Sequence, residues 1–147
     1  MIAIAQRVTR AEVSVGGTSI GSIGPGLLVF VCAEPDDTEV VADKLVAKLL
    51  KLRIFGDAAG KMNRSVVDVG GSLLIISQFT LAADVSGGNR PSFTGAAGPA
   101  LGRAFYERVL ATARAQHPKV AQGEFGADMQ VALVNDGPVT IPITLRG

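Results

Sequence analysis

Three polar side chains, Ser77, Gln78 and Thr80, end an apolar run that begins at Ser72. The run predicts a β-strand from Ser72 to Leu81, in which the period of two places Gln78 and Thr80 on one face and Ser77 on the other. The hydroxyls are candidate nucleophiles, and the amide is a candidate hydrogen-bond donor. Equally, these groups can be satisfied by neighbouring backbone, as most polar side chains in such places are.

Nucleophilic catalysis by Ser77 or Thr80 would need a base close to the hydroxyl. The only histidine, His117, lies in a polar sequence at the predicted end of a helix and is expected to face solvent. A histidine-dependent triad is therefore not expected.

With one histidine and one cysteine, Cys32, the chain also cannot build a His/Cys zinc site or an internal disulfide. Most metallohydrolase chemistry is excluded on this basis.

A Gly137-Pro138 pair separates two strand-like segments, Met129 to Asn135 and Val139 to Leu145. Proline has no backbone N–H, so the pair cannot continue a ladder of strand hydrogen bonds. X-Pro bonds are the only peptide bonds that are cis with appreciable frequency. A cis bond would hold two carbonyl groups in fixed directions, where they could bind an ammonium group. An ordinary turn is the other interpretation.

Lys44, Lys48 and Lys51 line one side of a predicted helix, because their spacing follows the helical repeat. With Arg53, they form what we call the basic surface. Residues 44–64 contain six basic residues and one acidic residue, Asp57. The whole chain has a net charge of only +1, so binding to a polyanion would depend on such local clusters. The surface is either a solvated helix face or a phosphate-binding site.

The chain has 147 residues, 48% of them hydrophobic and 18% charged, which is enough for one domain with a single core. No apolar stretch approaches the roughly 18 to 20 residues of a membrane span. Arg7 and Arg10 follow the apolar N-terminal residues, the reverse of the order in a signal peptide. We expect one soluble, cytoplasmic domain over residues 1–147.

Two amphipathic helices are predicted between the strands. The first begins with an acidic cap at Asp36, with Glu39 at capping-box spacing, and runs to about Leu52. The second begins with Pro99 in its first turn and runs to about Gln116; its apolar stripe is Leu101, Phe105, Val109 and Thr112.

Loops and turns connect these elements. Gly16-Gly17 predicts a tight hairpin turn, and Leu27 to Cys32 predicts a strand buried on both faces. Residues 61–69 are predicted to be a loop. The glycine-rich connection from Ala83 to Gly98 is long for a compact domain and is interpreted as a binding loop.

Several short motifs occur together in this chain. They are Asp68-Val69-Gly70-Gly71, Ser77-Gln78-Phe79-Thr80-Leu81, Gly88-Asn89-Arg90-Pro91-Ser92-Phe93, Phe125-Gly126-Ala127-Asp128-Met129 and the segment from Asn135 to Thr140. In this order, and with Gln6-Arg7-Val8 near the start, the sequence resembles the D-aminoacyl-tRNA deacylase family from Met1 to about Thr140. The Ser-Gln-Phe-Thr and Gly-Pro-Val-Thr motifs at this separation are the most specific part of the resemblance.

The resemblance implies a fold and an activity. The fold is α/β, a single domain with three layers, α/β/β, containing two mixed sheets with two main helices on one side. The activity is hydrolysis of the ester that joins a D-amino acid, or glycine mischarged on alanine tRNA, to the terminal ribose of a tRNA. No metal and no cofactor are implied. The implied partners are aminoacyl-tRNA and a second copy of the chain, without DNA or a membrane.

The resemblance also implies roles for particular residues. Gln78 and Phe79 place donors near the scissile carbonyl, Thr80 lines the same pocket, and Ser77 belongs to the same catalytic motif. In the homodimer the Gly137-Pro138 loop, with a cis bond, enters the pocket of the partner, holds the substrate ammonium and leaves no room for an L side chain. Arg7 braces this loop. Asn89 and Arg90 are further candidates for tRNA binding, in addition to the basic surface.

The sequence offers no base for Thr80, so we expect the ribose 2′-hydroxyl of the substrate to assist cleavage of the ester. Two alternatives stay open. The first is a non-catalytic tRNA-binding module that keeps the same fold. The second is a histidine-independent serine or threonine hydrolase that acts on small esters.

Overall fold

The computed structural model describes residues 1–147. The elements in chain order are β1 (Ile2–Val15), β2 (Thr18–Ile23), β3 (Gly26–Cys32), α1 (Glu39–Lys51), β4 (Phe55–Gly56), β5 (Met62–Arg64), β6 (Ser72–Ser77), a 3-10 helix (Phe79–Ala82), α2 (Pro99–Gln116), β7 (Val120–Gln122) and β8 (Met129–Thr144). No helix has the length and apolar character needed to cross a membrane.

Six strands form one mixed sheet in the order β2-β1-β3-β6-β7, with β8 paired to the other side of β1. β3, β6 and β7 are parallel, whereas β1 is antiparallel to β2, β3 and β8. Parallel neighbours need a crossover connection. Here α1 lies in the connection from β3 to β6, and α2 lies in the one from β6 to β7.

The long strands β1 and β8 divide the molecule into layers. The part of β1 that pairs with β2, together with β2 and the adjoining part of β8, folds over the face of β3 and β6 that the helices leave open. A second hydrophobic core lies between this layer and β3 and β6, and its buried members are Val8, Ala11, Val13, Leu28, Leu74 and Ile76. The main core, of 22 buried residues, lies between the sheet and the two helices. The predicted three-layer α/β/β arrangement is confirmed.

Most of the predicted elements are confirmed. Gly16 and Gly17 have positive φ angles of 57° and 82° and form the turn between β1 and β2, which a residue with a side chain would adopt only with strain. β3 is buried along nearly its whole length. Pro99 is the first residue of α2.

The predicted acidic cap of α1 at Asp36 is wrong. Thr38 is the cap, and its Oγ1 accepts a hydrogen bond from the backbone N–H of Val41 at 3.3 Å. Asp36 is exposed, while the carboxylate of Asp37 accepts from the N–H of Glu34 at 2.7 Å. The carboxylate of Asp37 therefore stabilises the turn before the helix, and the helix begins at Glu39, three residues after Asp36.

Three further expectations need correction. Leu101, predicted on the buried stripe of α2, is 41% exposed, because the first turn of that helix extends past the core. Residues 61–69 are not entirely a loop, since Met62–Arg64 forms β5 and pairs with β4. The carboxylate of Asp57 holds the turn between those two strands by accepting from the N–H groups of Ala59 and Lys61, each at 2.9 Å. The β6 strand ends at Ser77, four residues before Leu81.

Candidate functional site

A cleft of about 640 Å³ opens at the carboxyl end of β6. Ser77, Gln78 and Phe79 line it where β6 gives way to the 3-10 helix. The loop before α2 and the segment before β8 supply the remaining walls, in particular Phe93, Ala97, Pro99, Phe125, Ala127 and Met129. Thr80 is not part of this lining. The structure therefore brings three of the four predicted catalytic residues to one cleft.

None of the 14 residues that line the cleft is an aspartate, glutamate, histidine, lysine, arginine, cysteine or tyrosine. A smaller neighbouring cavity of about 40 Å³ reaches Cys32 and Tyr106. Burial raises the pKa of the Cys32 thiol and raises the pKa of Tyr106 to about 12. Both groups are neutral near pH 7, so neither is a general base, and the residues that line the cleft itself include no ionisable acid or base.

The change from strand to 3-10 helix leaves backbone donors free at the cleft. The N–H of Gln78 is the last one used by the sheet, donating to the carbonyl of Val31 at 2.8 Å. Within and after the 3-10 helix, the N–H of Leu81 donates to the carbonyl of Gln78 and the N–H of Ala83 donates to the carbonyl of Thr80. The N–H groups of Phe79 and Thr80 therefore have no acceptor in the protein, as expected for the first residues of a helix.

Gln78 and Thr80 do come together, but not as residues on one face of a strand. The side-chain Nε2 of Gln78 donates to Oγ1 of Thr80 across the start of the 3-10 helix. An amide N–H cannot accept a proton, and Thr80 has no other side-chain hydrogen-bond partner. The predicted strand geometry is wrong here, whereas the predicted lack of a base for Thr80 agrees with the structure.

The prediction that His117 faces solvent is also wrong. His117 caps the end of α2, is 6% exposed and donates from Nε2 to the carbonyl of Gly71 at 2.8 Å. Gly71 precedes β6, whereas Ser77 ends it. Six strand residues span about 20 Å, so His117 lies at the wrong end of the sheet to act on Ser77 or Thr80.

Gly137 and Pro138 form an excursion from the β1–β8 ladder. Gln6 pairs with Thr140 and Val8 pairs with Asn135, so residues 136–139 are left opposite Arg7 alone. The Gly137–Pro138 peptide bond is cis. Arg7 holds the excursion by donating from Nε to the carbonyl of Asp136 at 3.1 Å, and it donates from Nη1 to the carbonyl of Ile54 at 2.7 Å.

Within one chain this excursion and the cleft are apart. Arg7 pairs with Leu27, which pairs with Leu73 of β6. Ser77, at the cleft, lies four residues further along β6, a distance of about 13 Å along the strand. A single chain therefore does not bring Gly137 and Pro138 to its own Gln78.

Comparison with known proteins gives the family. A family model described as D-Tyr-tRNA(Tyr) deacylase matches residues 4–144. A D-aminoacyl-tRNA deacylase of Methylibium petroleiphilum is 71% identical over 145 residues, which cover 99% of this chain and 95% of that protein. The chain belongs to the D-Tyr-tRNA(Tyr) deacylase family. As a member of this family it is a hydrolase.

Solved structures agree with this deacylase over its full length. The structure of "c-Myc DNA Unwinding Element Binding Protein" superposes with a TM-score of 0.95, at 41% identity and with 100% of both chains covered. A structure described as "a probable eukaryotic D-amino acid tRNA deacylase" superposes with a TM-score of 0.83 over 97% of both chains, at 18% identity, which supports the fold alone.

The basic surface of this deacylase is exposed and largely unpaired. Lys44, Lys48 and Lys51 point away from the buried side of α1. The two acidic residues of that helix both face Arg108 of α2: Asp43 accepts from it at 2.8 Å, and the carboxylate of Glu39 lies 3.8 Å from it. The hydrogen bonds from Arg108 hold the pKa of Asp43 below its usual range. The lysines therefore keep their charge available for an anion.

The other predicted tRNA-binding residues lie on separate elements. Arg53 of the basic surface donates to the carbonyl of Asn63 at 3.1 Å. Asn89 and Arg90 are exposed on the glycine-rich loop, whose base is closed by two backbone hydrogen bonds between Asp84 and Ser92.

Two aromatic residues of the cleft were not assigned to the site from the sequence. Phe93 packs edge-on against Phe79, with ring centroids 5.2 Å apart. Phe125 lines the cleft beside Tyr106 and lies under the guanidinium of Arg103, 4.8 Å from its ring centroid. The chain has only six phenylalanines, and both of these stand in glycine-containing segments outside the helices and strands. Their position in loops is the signal that the sequence offers, although Phe125 also packs against the main core.

Proposed function

We propose that this deacylase hydrolyses the ester between a D-amino acid and the terminal ribose of tRNA and so proofreads the chirality of aminoacyl-tRNA. The observation that carries the proposal is the pair of free N–H groups of Phe79 and Thr80 beside a cleft without ionisable side chains. Donors fixed in advance can stabilise a developing oxyanion by about 3 to 4 kcal/mol each. An ester is already activated, so such donors suffice for a cleft of this kind.

In the proposed reaction a water molecule attacks the ester carbonyl carbon. The carbonyl oxygen becomes an oxyanion held by the N–H groups of Phe79 and Thr80. As the water attacks, the ribose 2′-hydroxyl takes a proton from it and gives its own proton to the 3′-oxygen. The bond between the carbonyl carbon and the 3′-oxygen then breaks, so the products are the free D-amino acid and tRNA with its terminal diol. The backbone N–H of Gln78 already donates to the carbonyl of Val31. Only the side-chain amide of Gln78 can therefore donate to the substrate.

The chiral filter is proposed to come from a second copy of the chain. Because Gly137 and Pro138 lie apart from their own cleft, a homodimer in which each excursion enters the partner's cleft would complete both sites. Backbone carbonyls would bind the substrate ammonium, and an L side chain would then meet backbone. Glycine has no side chain and would pass, which extends the proposed substrates to glycyl-tRNA mischarged on alanine tRNA. We place this reaction in the cytoplasm, where aminoacyl-tRNA is used.

Release of D-tyrosine from D-tyrosyl-tRNA tests the proposal, with L-tyrosyl-tRNA and D-tyrosine ethyl ester as parallel substrates. We expect rapid release from the D-tRNA substrate alone. A non-catalytic tRNA-binding module would release nothing, and a hydrolase of small esters would cleave the ethyl ester at a comparable rate. Either result would overturn the proposal.

Thr80→Val is expected to keep deacylation within about tenfold of the unsubstituted enzyme. The Thr80 hydroxyl accepts from an amide and has no base, so it is not the nucleophile. Single-turnover rates on D-tyrosyl-tRNA measure the effect. Thr80→Ser, which keeps the hydroxyl, is the matched control. A loss of about 10⁴-fold or more in a folded Thr80→Val protein, of the size caused by losing a true nucleophile, would contradict this mechanism.

Lys48→Gln with Lys51→Gln is expected to flatten the salt dependence of tRNA binding. If both ammonium groups contact phosphates of the acceptor stem, the slope of log affinity against log salt concentration falls by about 1.5 to 2. Arg10→Gln removes one exposed cation from β1, across the sheet from the helices, and serves as the control. An unchanged slope for the lysine pair would show that the surface is only a solvated helix face.

A further inference from the structure

The Gly137–Pro138 excursion lies at the same end of its own chain as the basic surface. One guanidinium joins the two, because Arg7 donates both to the carbonyl of Asp136 and to the carbonyl of Ile54. Ile54 directly follows Arg53, the last member of the basic surface. Beyond it, Phe55 of β4 pairs with Arg64 of β5. The excursion is therefore tied to the segment in which the basic residues are concentrated.

Helix α1 runs away from the cleft of its own chain, so each successive lysine along it lies further from that cleft. The start of α1 lies near the carboxyl end of the chain, since a Cβ on Gly147 would lie 3.4 Å from Val41 Cγ2. In the sheet this is the end where Ile2 pairs with Cys32, close to the cleft. The 13 residues of α1 then span about 20 Å toward Ile54 and Arg7. Lys51, in the last turn, is consequently at the end with Gly137.

The positive charge at that end exceeds the local negative charge, because the basic residues Lys48, Lys51, Arg53, Lys61 and Arg64 outnumber the carboxylates of Asp57, Asp68 and Asp136. Asp136 is also paired with Arg7, at 3.4 Å. The carboxylate of Asp57 is used by the N–H groups of its own turn, and the carboxylate of Asp68 accepts from the N–H of Ser65 at 2.8 Å. Lys48, Lys51 and Lys61 are exposed and form no ion pair. A polyanion that reaches this end meets free ammonium groups.

We propose that the tRNA backbone is bound by the subunit opposite to the one whose cleft holds the aminoacyl ester. The subunit that inserts Gly137 and Pro138 into a cleft also holds, through Lys48 and Lys51, phosphates of the acceptor stem whose 3′ end occupies that cleft. This inference rests on the proposed function. It makes each tRNA a ligand of both subunits, so chirality and tRNA backbone are read by the same subunit while ester cleavage takes place in the other.

Heterodimers with a different affinity tag on each subunit allow the test. The first step checks the proposed function. In the first arrangement, one subunit carries Phe79→Pro, which removes a proposed oxyanion donor, and the other carries Gly137→Ala. One intact cleft then receives one intact excursion, and about half of the activity is expected. Both substitutions on the same subunit leave no complete site, and activity is expected to be lost. Equal activity in the two arrangements would overturn the proposed shared site, independently of the basic surface.

The second step locates the phosphate contacts. One subunit carries Phe79→Pro, so the only working cleft belongs to its partner. Lys48→Gln with Lys51→Gln on the Phe79→Pro subunit is expected to raise KM for D-tyrosyl-tRNA about tenfold with kcat unchanged. The same pair on the subunit with the working cleft is expected to leave KM as it was. A rise in KM only in the second arrangement, an equal rise in both, or no rise in either would overturn the inference.

Discussion

Gly137→Ala is expected to lower deacylation of D-tyrosyl-tRNA by about 100-fold or more and to shrink the preference for D over L substrate. Gly137 has a φ of +130°, in the region that residues with a side chain rarely adopt. A Cβ there would lie 2.8 Å from Val139 Cγ2, 2.9 Å from Val139 N and 3.1 Å from Arg7 Nη2. Backbone cannot yield at those distances without moving the excursion. A shift of about 1 Å at a positioning group can cost about 100-fold in rate.

Gly16→Ala is the control for this prediction. Gly16 also has a positive φ, of 57°, but a Cβ there would have no atom within 4 Å. It therefore carries a backbone cost in stability without disturbing Arg7 or Val139. Single-turnover rates on D- and L-tyrosyl-tRNA and the midpoint of thermal unfolding are measured for both variants. A folded Gly137→Ala protein with the normal rate and the normal preference would remove the excursion from the mechanism.

Phe79→Pro is expected to deacylate D-tyrosyl-tRNA about 100- to 1,000-fold more slowly than Phe79→Ala. Both variants lose the ring that packs on Phe93, but only proline also removes the backbone N–H. That N–H has no acceptor in the protein, and proline is tolerated at the first position of a helix. The difference between the two rates therefore isolates one proposed oxyanion donor.

Thermal unfolding of both Phe79 variants shows whether the 3-10 helix survives. The ring is 58% exposed, so truncation to alanine leaves little buried volume empty. Equal single-turnover rates for the two folded proteins would mean that this N–H does not hold the oxyanion. The proposed mechanism would then lose its principal source of transition-state stabilisation.

The sequence predicted those elements that depend on local pattern. The buried side of α1, the apolar β3 and the hairpin at Gly16 follow from spacing and composition within a few residues. The break at Gly137 was predictable for the same reason, since proline cannot donate to a ladder.

The predictions that failed depend on partners distant in the sequence. Ser77 to Leu81 alternates as a strand would, but β3 ends at Cys32, and Gln78 is the last residue whose N–H finds an acceptor there. His117 has polar neighbours, yet the carbonyl of Gly71 holds it inside. No pattern around either residue reveals a partner more than 40 positions away. Predicting that Gly137 lies apart from Gln78 of the same chain likewise requires the register of the sheet.

The lack of an ionisable side chain in the cleft has a consequence for detecting and inhibiting this enzyme, because the hydroxyl of Ser77 has no base there to activate it. Electrophilic probes that label hydrolases at an activated serine or cysteine have no such target among the residues of the cleft, and Cys32 is buried with a raised pKa. Alanine scanning also leaves every backbone donor in place. If the proposed mechanism holds, inhibitors of this enzyme must instead match the shape of the cleft and present an acceptor to the N–H groups of Phe79 and Thr80, as a non-hydrolysable aminoacyl-adenosine analogue would.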